Sequence, residues 1–291
     1  MADPKSGRNP GPQTDLDRRL HLYRPDLADV SLQGRIESKR FVEGRPAQVT
    51  APLISLRRQP SETAMQLTQV LLGETLQVFD QSDGWAWVKL DRDGYVGHVA
   101  AAALSETVVP VTHEVSTPST FAYPKPDLKT QPASIIPMLS RVTVVAEENG
   151  YVRLANGRFA HKRHLRPVDT GMGDYVDVAE RFLFAPYHWG GKTIHGLDCS
   201  GLVQVALQSV GWPCPRDSDM QEEALGNTLA PGEKLRRGDL VFWDGHVGIM
   251  VDSESLLHAN GFHMLVAIEP LKVAVERIAA TGKPVTKVRR L

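Results

Sequence analysis

Residues 185–221 read APYHWGGKTIHGLDCSGLVQVALQSVGWPCPRDSDMQ, and the centre of this stretch, Asp198-Cys199-Ser200-Gly201, decides how the rest is read. From Leu202 the apolar residues Val203, Ala206, Leu207 and Val210 recur at three- and four-residue steps, and Gly211 follows as a stop. That spacing predicts a largely buried helix with Cys199 in its first turn. Unpaired backbone N–H groups and the positive end of the helix dipole favour a thiolate there, and the thiolate is the form of cysteine that attacks carbonyls. The competing reading is a small apolar core residue, which most free cysteines are.

Composition bounds the alternatives. The chain has 291 residues, 42% hydrophobic and 23% charged, with a net charge of −1. Such a chain folds as two or three domains and carries no general attraction for nucleic acid or anionic membrane. Its only cysteines are Cys199 and Cys214, too few for a disulfide scaffold. No run of 18 apolar residues occurs, and the start, MADPKSGRNPGPQTDLDRRL, has no apolar h-region. A cytoplasmic protein with no membrane span and a disordered start is therefore expected.

Upstream of the cysteine helix two segments repeat one pattern: apolar strand, acidic-Gly turn, aromatic-containing strand, short hairpin, short strand. The first is Leu71 to Val99 and the second Met138 to Leu165, with Asp93-Gly94 and Asn156-Gly157 as hairpin dipeptides. Repeats of this length made of short strands read as two small all-β barrels. Residues 20–42 read as an extended arm without an evident chemical role. Downstream, Asp174 to Phe184 is an amphipathic helix and Asp217 or Ser218 opens a short polar one. Strands at Leu240–Trp243, His246–Val251 and Leu256–Ala259, a helix near Leu271 to Ala280 and a strand near Pro284 to Val288 complete an α+β domain.

A cysteine peptidase needs a histidine to take the thiol proton and a third group to orient that histidine. His246 follows the turn Asp244-Gly245 and His258 lies twelve residues later, a spacing by which adjacent antiparallel strands bring the two together. His246 then serves as base and His258 fixes its tautomer. Zinc held by Cys199, His246 and His258 is an alternative, although no short-spaced ligand pair supports it.

The motifs Pro186-Tyr187, Trp189-Gly190-Gly191, Asp198-Cys199-Ser200-Gly201-Leu202-Val203, Pro215-Arg216-Asp217-Ser218, Gly238-Asp239-Leu240-Val241-Phe242 and His246-Val247-Gly248-Ile249 resemble the NlpC-type cell-wall cysteine peptidases over residues 172–291. The resemblance implies a papain-like α+β domain with a Cys199-His246-His258 triad and no cofactor. It also implies cleavage of the γ-D-glutamyl bond to a diamino acid, meso-diaminopimelate or lysine, in murein peptides. Tyr187 matches a family tyrosine near the oxyanion site, where its phenol could join the Cys199 N–H; a buried structural tyrosine is the other reading. The segment around Leu56-Arg57 and Gln59-Pro60-Ser61 resembles a bacterial SH3-like domain. The expected organisation is thus a start and arm over 1–42, SH3-like domains over 43–108 and 109–168, and the peptidase over 169–291.

Two SH3-like domains before such a peptidase resemble the subgroup acting on peptides with a free N-terminal L-Ala. By that resemblance the amine is gripped by Asp198 and Ser218, with Glu62 and Tyr95 from the first barrel. Asp198 and Ser218 equally suit helix N-caps, and Glu62 equally suits a solvated surface. His98 departs from the pattern, which often has tryptophan there. The expected role is recycling of wall peptides; the alternatives are a peptidoglycan-binding protein with an inactive peptidase domain, or an amidase or acyltransferase on the same fold.

Overall fold

The structure, a computed structural model, describes residues 16–168 and 170–291. Most of the segment expected to be disordered, residues 1–15, lies outside the described residues. Among those described, no helix is long and apolar enough to cross a membrane.

The arm leads into a seven-stranded antiparallel sheet whose strands run from Arg45–Val49 to Leu104–Ser105. Alternating Leu76 and Val78, Ala86 and Val88, and Leu56 and Val70 point inward to one apolar core. A second set of short strands between His113–Val115 and Leu165–Pro167 pairs in three small sheets around Val115, Ile136, Val152 and Leu154. Asn156-Gly157 makes the expected hairpin turn, with Gly157 at φ +79°. The seven strands of the first unit pair in one continuous sheet, whereas the second unit divides its strands among three separate sheets.

The C-terminal domain is built on a six-stranded antiparallel sheet. Leu240–Trp243 pairs with His246–Met250 through the Asp244-Gly245 turn, then follow Ser255–Asn260 and Leu265–Pro270, with Val285–Arg290 on the other flank. The helices are α1 (Tyr175–Glu180), α2 (Cys199–Ser209), α3 (Ser218–Ala224) and α4 (Leu271–Ala279). Helix α1 is shorter than expected: from Arg181 to Leu183 the backbone bonds tighten to the i→i−3 pattern, and Phe184, at φ +69°, then turns the chain. Alternation along the strands separates two layers. Val247, Ile249, Leu257 and Ala259 pack on α1 and α2, while Met250, Leu256, Val241 and Trp243 pack on α4.

The first barrel is docked firmly on this domain. Along its strand Gln66–Leu71, Gln66 Nε2 donates to the Trp189 carbonyl (3.0 Å), Thr68 Oγ1 accepts from Arg216 Nε (2.7 Å) and Gln69 Oε1 accepts from Lys192 N (2.9 Å). The Lys192 side chain, 2% exposed, pairs with Glu74, 4% exposed, which also takes Arg92 at 3.0 Å. Gly190 is required by this approach: at φ +73°, a Cβ would sit 2.9 Å from the Gln66 carbonyl oxygen.

Candidate active site

Cys199 is the first residue of α2, and Asp198 caps the helix by accepting from Gly201 N at 2.7 Å. The loop over the helix start comes so close that a Cβ at Gly201 would lie 2.2 Å from the Gly191 oxygen. The Asp198 carboxylate has further partners: Gly190 N donates at 2.8 Å, and Arg216 donates from Nη2 at 2.7 Å and from Nη1 at 3.0 Å. Arg216 is itself 1% exposed and gives further hydrogen bonds to Ser200 Oγ and Thr68. The Asp198 oxygens thus hold the helix start and a buried guanidinium, and Asp198 also lines the cleft into which Cys199 opens.

Cys199 and Cys214 are both free and buried. The Cys199 thiol lies against the backbone N–H groups of Ser200 and Val247, the latter next to His246. Burial nevertheless pushes the thiol up to about 12, and the neighbouring Asp198 charge adds to the rise. The expected preformed thiolate is therefore overturned: desolvation outweighs the helix N-terminus.

On the neighbouring strands His246 Nε2 and His258 Nδ1 are 2.8 Å apart, as the twelve-residue spacing predicts. His258 is fully buried, and its Nε2 lies 2.8 Å from Glu269 Oε1. Glu269 in turn accepts from Arg277 Nη2 (2.6 Å) and Nη1 (2.8 Å). Burial pushes His246 down to about 3, helped by His258 and Arg277, and His258 down to about 4 against the pull of Glu269. Both imidazoles are thus neutral at rest, and His246, with Nε2 bonded to His258, has Nδ1 left to receive a proton. A base whose pKa is lowered stays unprotonated until the pH falls to that lower value. We therefore expect kcat/KM measured from pH 7 to pH 5 to lack the acid limb that an ordinary histidine near 6.5 would impose; a tenfold fall across that window would contradict the assignment.

Tyr187 is half-buried, lines the same cleft, and has its phenol raised by burial and by the adjacent Cys199, so it remains a donor. Among the described residues, the donors that converge within 4.8 Å as a metal set are those of His258, His263 and Glu269, not the Cys199-His246-His258 set. Glu269 is already occupied by Arg277 and His258 there.

Cys199 opens into a cleft of about 690 Å³ lined from three directions. The peptidase supplies Tyr187, Trp189, Asp217 and Ser218, the barrel Tyr95 and His98, and the arm Arg18, Arg19 and Tyr23. Tyr95 O–H donates to Asp217 Oδ2 at 2.7 Å. Arg19 donates to Asp217 at 2.9 Å and to Asp219 at 2.7 and 2.9 Å, while its carbonyl accepts from Val96 N of the barrel. Glu62 is not brought here: its side chain is 80% exposed and meets Arg57 at 3.6 Å. Asp217, Arg19 and Glu269 were missed in the sequence. The signal available for Asp217 was its place beside Ser218, in the motif already singled out.

Comparison with known proteins agrees with this construction. Residues 185–277 match the NlpC/P60 family, and residues 56–104 match the bacterial dipeptidyl-peptidase SH3 domain. A gamma-D-glutamyl-L-lysine dipeptidyl-peptidase of Bacillus subtilis is 30% identical over 216 residues, 66% of this chain and 71% of the relative. The chain belongs to the NlpC/P60 family. It is a cysteine peptidase, and its family comprises cell-wall endopeptidases. A second NlpC/P60 relative, the Bacillus cereus protein of the same description, is 27% identical over 70% of each chain. The crystal structure of an NlpC/P60 family protein from Bacillus cereus superposes with a TM-score of 0.70 at 22% identity, covering 84% of this chain and 99% of that one. One SH3 domain is matched; the second set of strands is not.

Proposed function

We propose that this enzyme hydrolyses the γ-D-glutamyl–diamino acid bond of short murein peptides that carry a free N-terminal L-Ala. The observation carrying this reading is that the first barrel and the arm form walls of the cleft holding Cys199. A barrel serving only to bind wall polymer would not need to share that cleft, which disfavours a binding protein with an inactive peptidase domain. In this reading Cys199, His246 and His258 are the catalytic set. The Cys199 proton passes to His246 Nδ1 as sulfur bonds to the γ-carbonyl carbon, and the carbonyl electrons move onto oxygen, where Tyr187 and the Cys199 N–H stabilise them. The oxygen's electrons then return, the C–N bond breaks, and His246 gives its proton to the departing amine. Water cleaves the thioester by the same route in reverse. An amidase or acyltransferase would share the acyl-enzyme and differ in what enters or leaves.

In this reading the substrate ammonium is taken by Asp198, Ser218 and Tyr95, with Asp217 beside them in the same cleft wall, whereas Glu62 lies outside it. Asp217 is half-buried in the cleft wall and already accepts from Tyr95 and from a cation, Arg19. A free amine distinguishes released peptides from intact stems, whose alanine is acylated, so recycling of released peptides in the cytoplasm is part of the proposal. So is the reading of residues 109–168 as a diverged second SH3-like copy.

Mass spectrometry of L-Ala-γ-D-Glu-meso-diaminopimelate and its L-Lys counterpart, free and N-acetylated, tests it. The expected product is L-Ala-D-Glu from a free-amine peptide, with kcat/KM at least ~100-fold lower after acetylation, because the acyl group removes the ammonium charge that the acidic wall takes and adds bulk there. No product from either free-amine peptide would overturn the substrate, and equal rates would remove the amine requirement. For the same reason Asp217→Asn is expected to raise KM at least about tenfold, whereas Glu62→Ala should leave kcat/KM within about twofold, as expected for a solvated pair.

A further inference from the structure

We propose that Glu269, anchored by Arg277, is a positioning residue that sets the tautomers of both histidines, so that His246 presents a bare Nδ1 lone pair to the Cys199 thiol. This rests on the reading of Cys199, His246 and His258 as the catalytic set and goes beyond it by adding the group that decides which nitrogen carries which proton.

The chain of contacts admits one proton pattern. Arg277 gives two hydrogen bonds to Glu269 and stacks over the Phe262 ring at 4.2 Å, so the guanidinium is held from both sides. These bonds keep the Glu269 carboxyl below its usual range. An ionised carboxylate only accepts, so the 2.8 Å contact from His258 requires hydrogen on His258 Nε2. A neutral His258 then has a lone pair on Nδ1, and the 2.8 Å contact to His246 requires hydrogen on His246 Nε2. A neutral His246 is left with Nδ1 unprotonated. Without Glu269 the opposite pattern becomes available, with both protons moved to Nδ1 and the base blocked. His258 alone orients the ring of His246 but cannot choose between the two patterns, since imidazole is donor and acceptor at once. Strand pairing supports the geometry: Glu269 lies opposite Leu256, two residues from His258, so its side chain shares the face with His258 and α4.

Imidazole ¹⁵N NMR of the full chain reads the tautomers directly and needs no substrate. The wild type is expected to show His246 and His258 both protonated on Nε2; His246 protonated on Nδ1 overturns the proposal whatever the variants do. Glu269→Ala should populate the Nδ1–H form of His246 and lower kcat by about 30- to 100-fold with KM within about twofold, within the range, up to about 10⁴, seen when an orienting carboxylate is lost and the tautomer flips. It should also slow iodoacetamide alkylation of Cys199, a readout independent of which peptide is cleaved. Arg277→Met keeps the accepting carboxylate and should preserve both tautomers, with kcat lowered less than about fivefold. If Arg277→Met costs as much as Glu269→Ala, or Glu269→Ala leaves both tautomers unchanged, Glu269 is only half of a structural ion pair. Failure to cleave γ-glutamyl peptides would overturn the substrate assignment while leaving these spectra to decide this one.

Discussion

Cys199→Ala is expected to abolish turnover, by about 10⁶-fold in kcat, with the fold intact. The magnitude follows from removal of a nucleophile whose partners act only through it. Here the dependence is strict, because the resting pair is neutral and the imidazole has no work without a thiol proton to take. The same neutrality predicts that His246→Ala in the Cys199→Ala background costs nothing more, since the two act as one unit. The fold should survive because Cys199 contributes one small side chain to a cluster that includes Leu202, Val203, Phe242 and Val247. Peptide hydrolysis by mass spectrometry, with far-ultraviolet circular dichroism and a melting curve beside it, checks both halves. Residual turnover above about one per cent of wild type would mean that another group attacks the substrate.

The largest effect on stability is expected at Arg216. Arg216→Met leaves Asp198 buried, charged and stripped of its two guanidinium bonds, a situation that typically costs about 3–5 kcal/mol. In a protein of this size that is a fall in Tm on the order of 10 °C. The damage extends beyond the ion pair, because Asp198 also caps α2 and Thr68 of the barrel loses its donor. Arg216→Lys retains the charge but not the fork that reaches Asp198, Ser200 and Thr68 together, so it should recover only part of the loss. Adding Asp198→Asn to Arg216→Met should be less harmful than Arg216→Met alone, since it removes the stranded charge. Urea denaturation of the three proteins and wild type decides the matter. A loss below about 1 kcal/mol for Arg216→Met would show the pair to be solvated.

What was legible in the sequence and what was not follows the range of the interactions. The α2 helix announces itself by local spacing, and the two histidine strands by alternation around Asp244-Gly245. Their meeting is nearly local, twelve residues apart, so the pair could be read without a fold. The strand Leu265–Pro270 was passed over because Leu265, Val266, Ile268 and then a helix follow too closely for a periodicity to show, and Glu269 was lost with it. The cleft's acidic wall depends on contacts spanning 122 and 198 residues, which no pattern along the chain displays. The Asp198 partner was out of reach for another reason: a carboxylate before a nucleophile looks the same in sequence whether or not it also holds a buried arginine. The thiol's ionisation was equally out of reach, since dipole and burial act in opposite directions and only the structure gives the burial.

The bond from Arg216 to Thr68 joins the barrel to the residue that holds the start of α2. With the Gln66, Gln69, Glu74 and Tyr95 contacts, this bond references barrel wall and nucleophile to one another through side chains rather than through a tether. Distance from the wall to the sulfur becomes a fixed gauge, set by side-chain lengths and indifferent to hinge motion. Length discrimination in such a cleft is a matter of calibration: a residue added to the peptide has to find room against a rigid stop. A family member that lost this set of contacts could keep its chemistry and still lose its ruler.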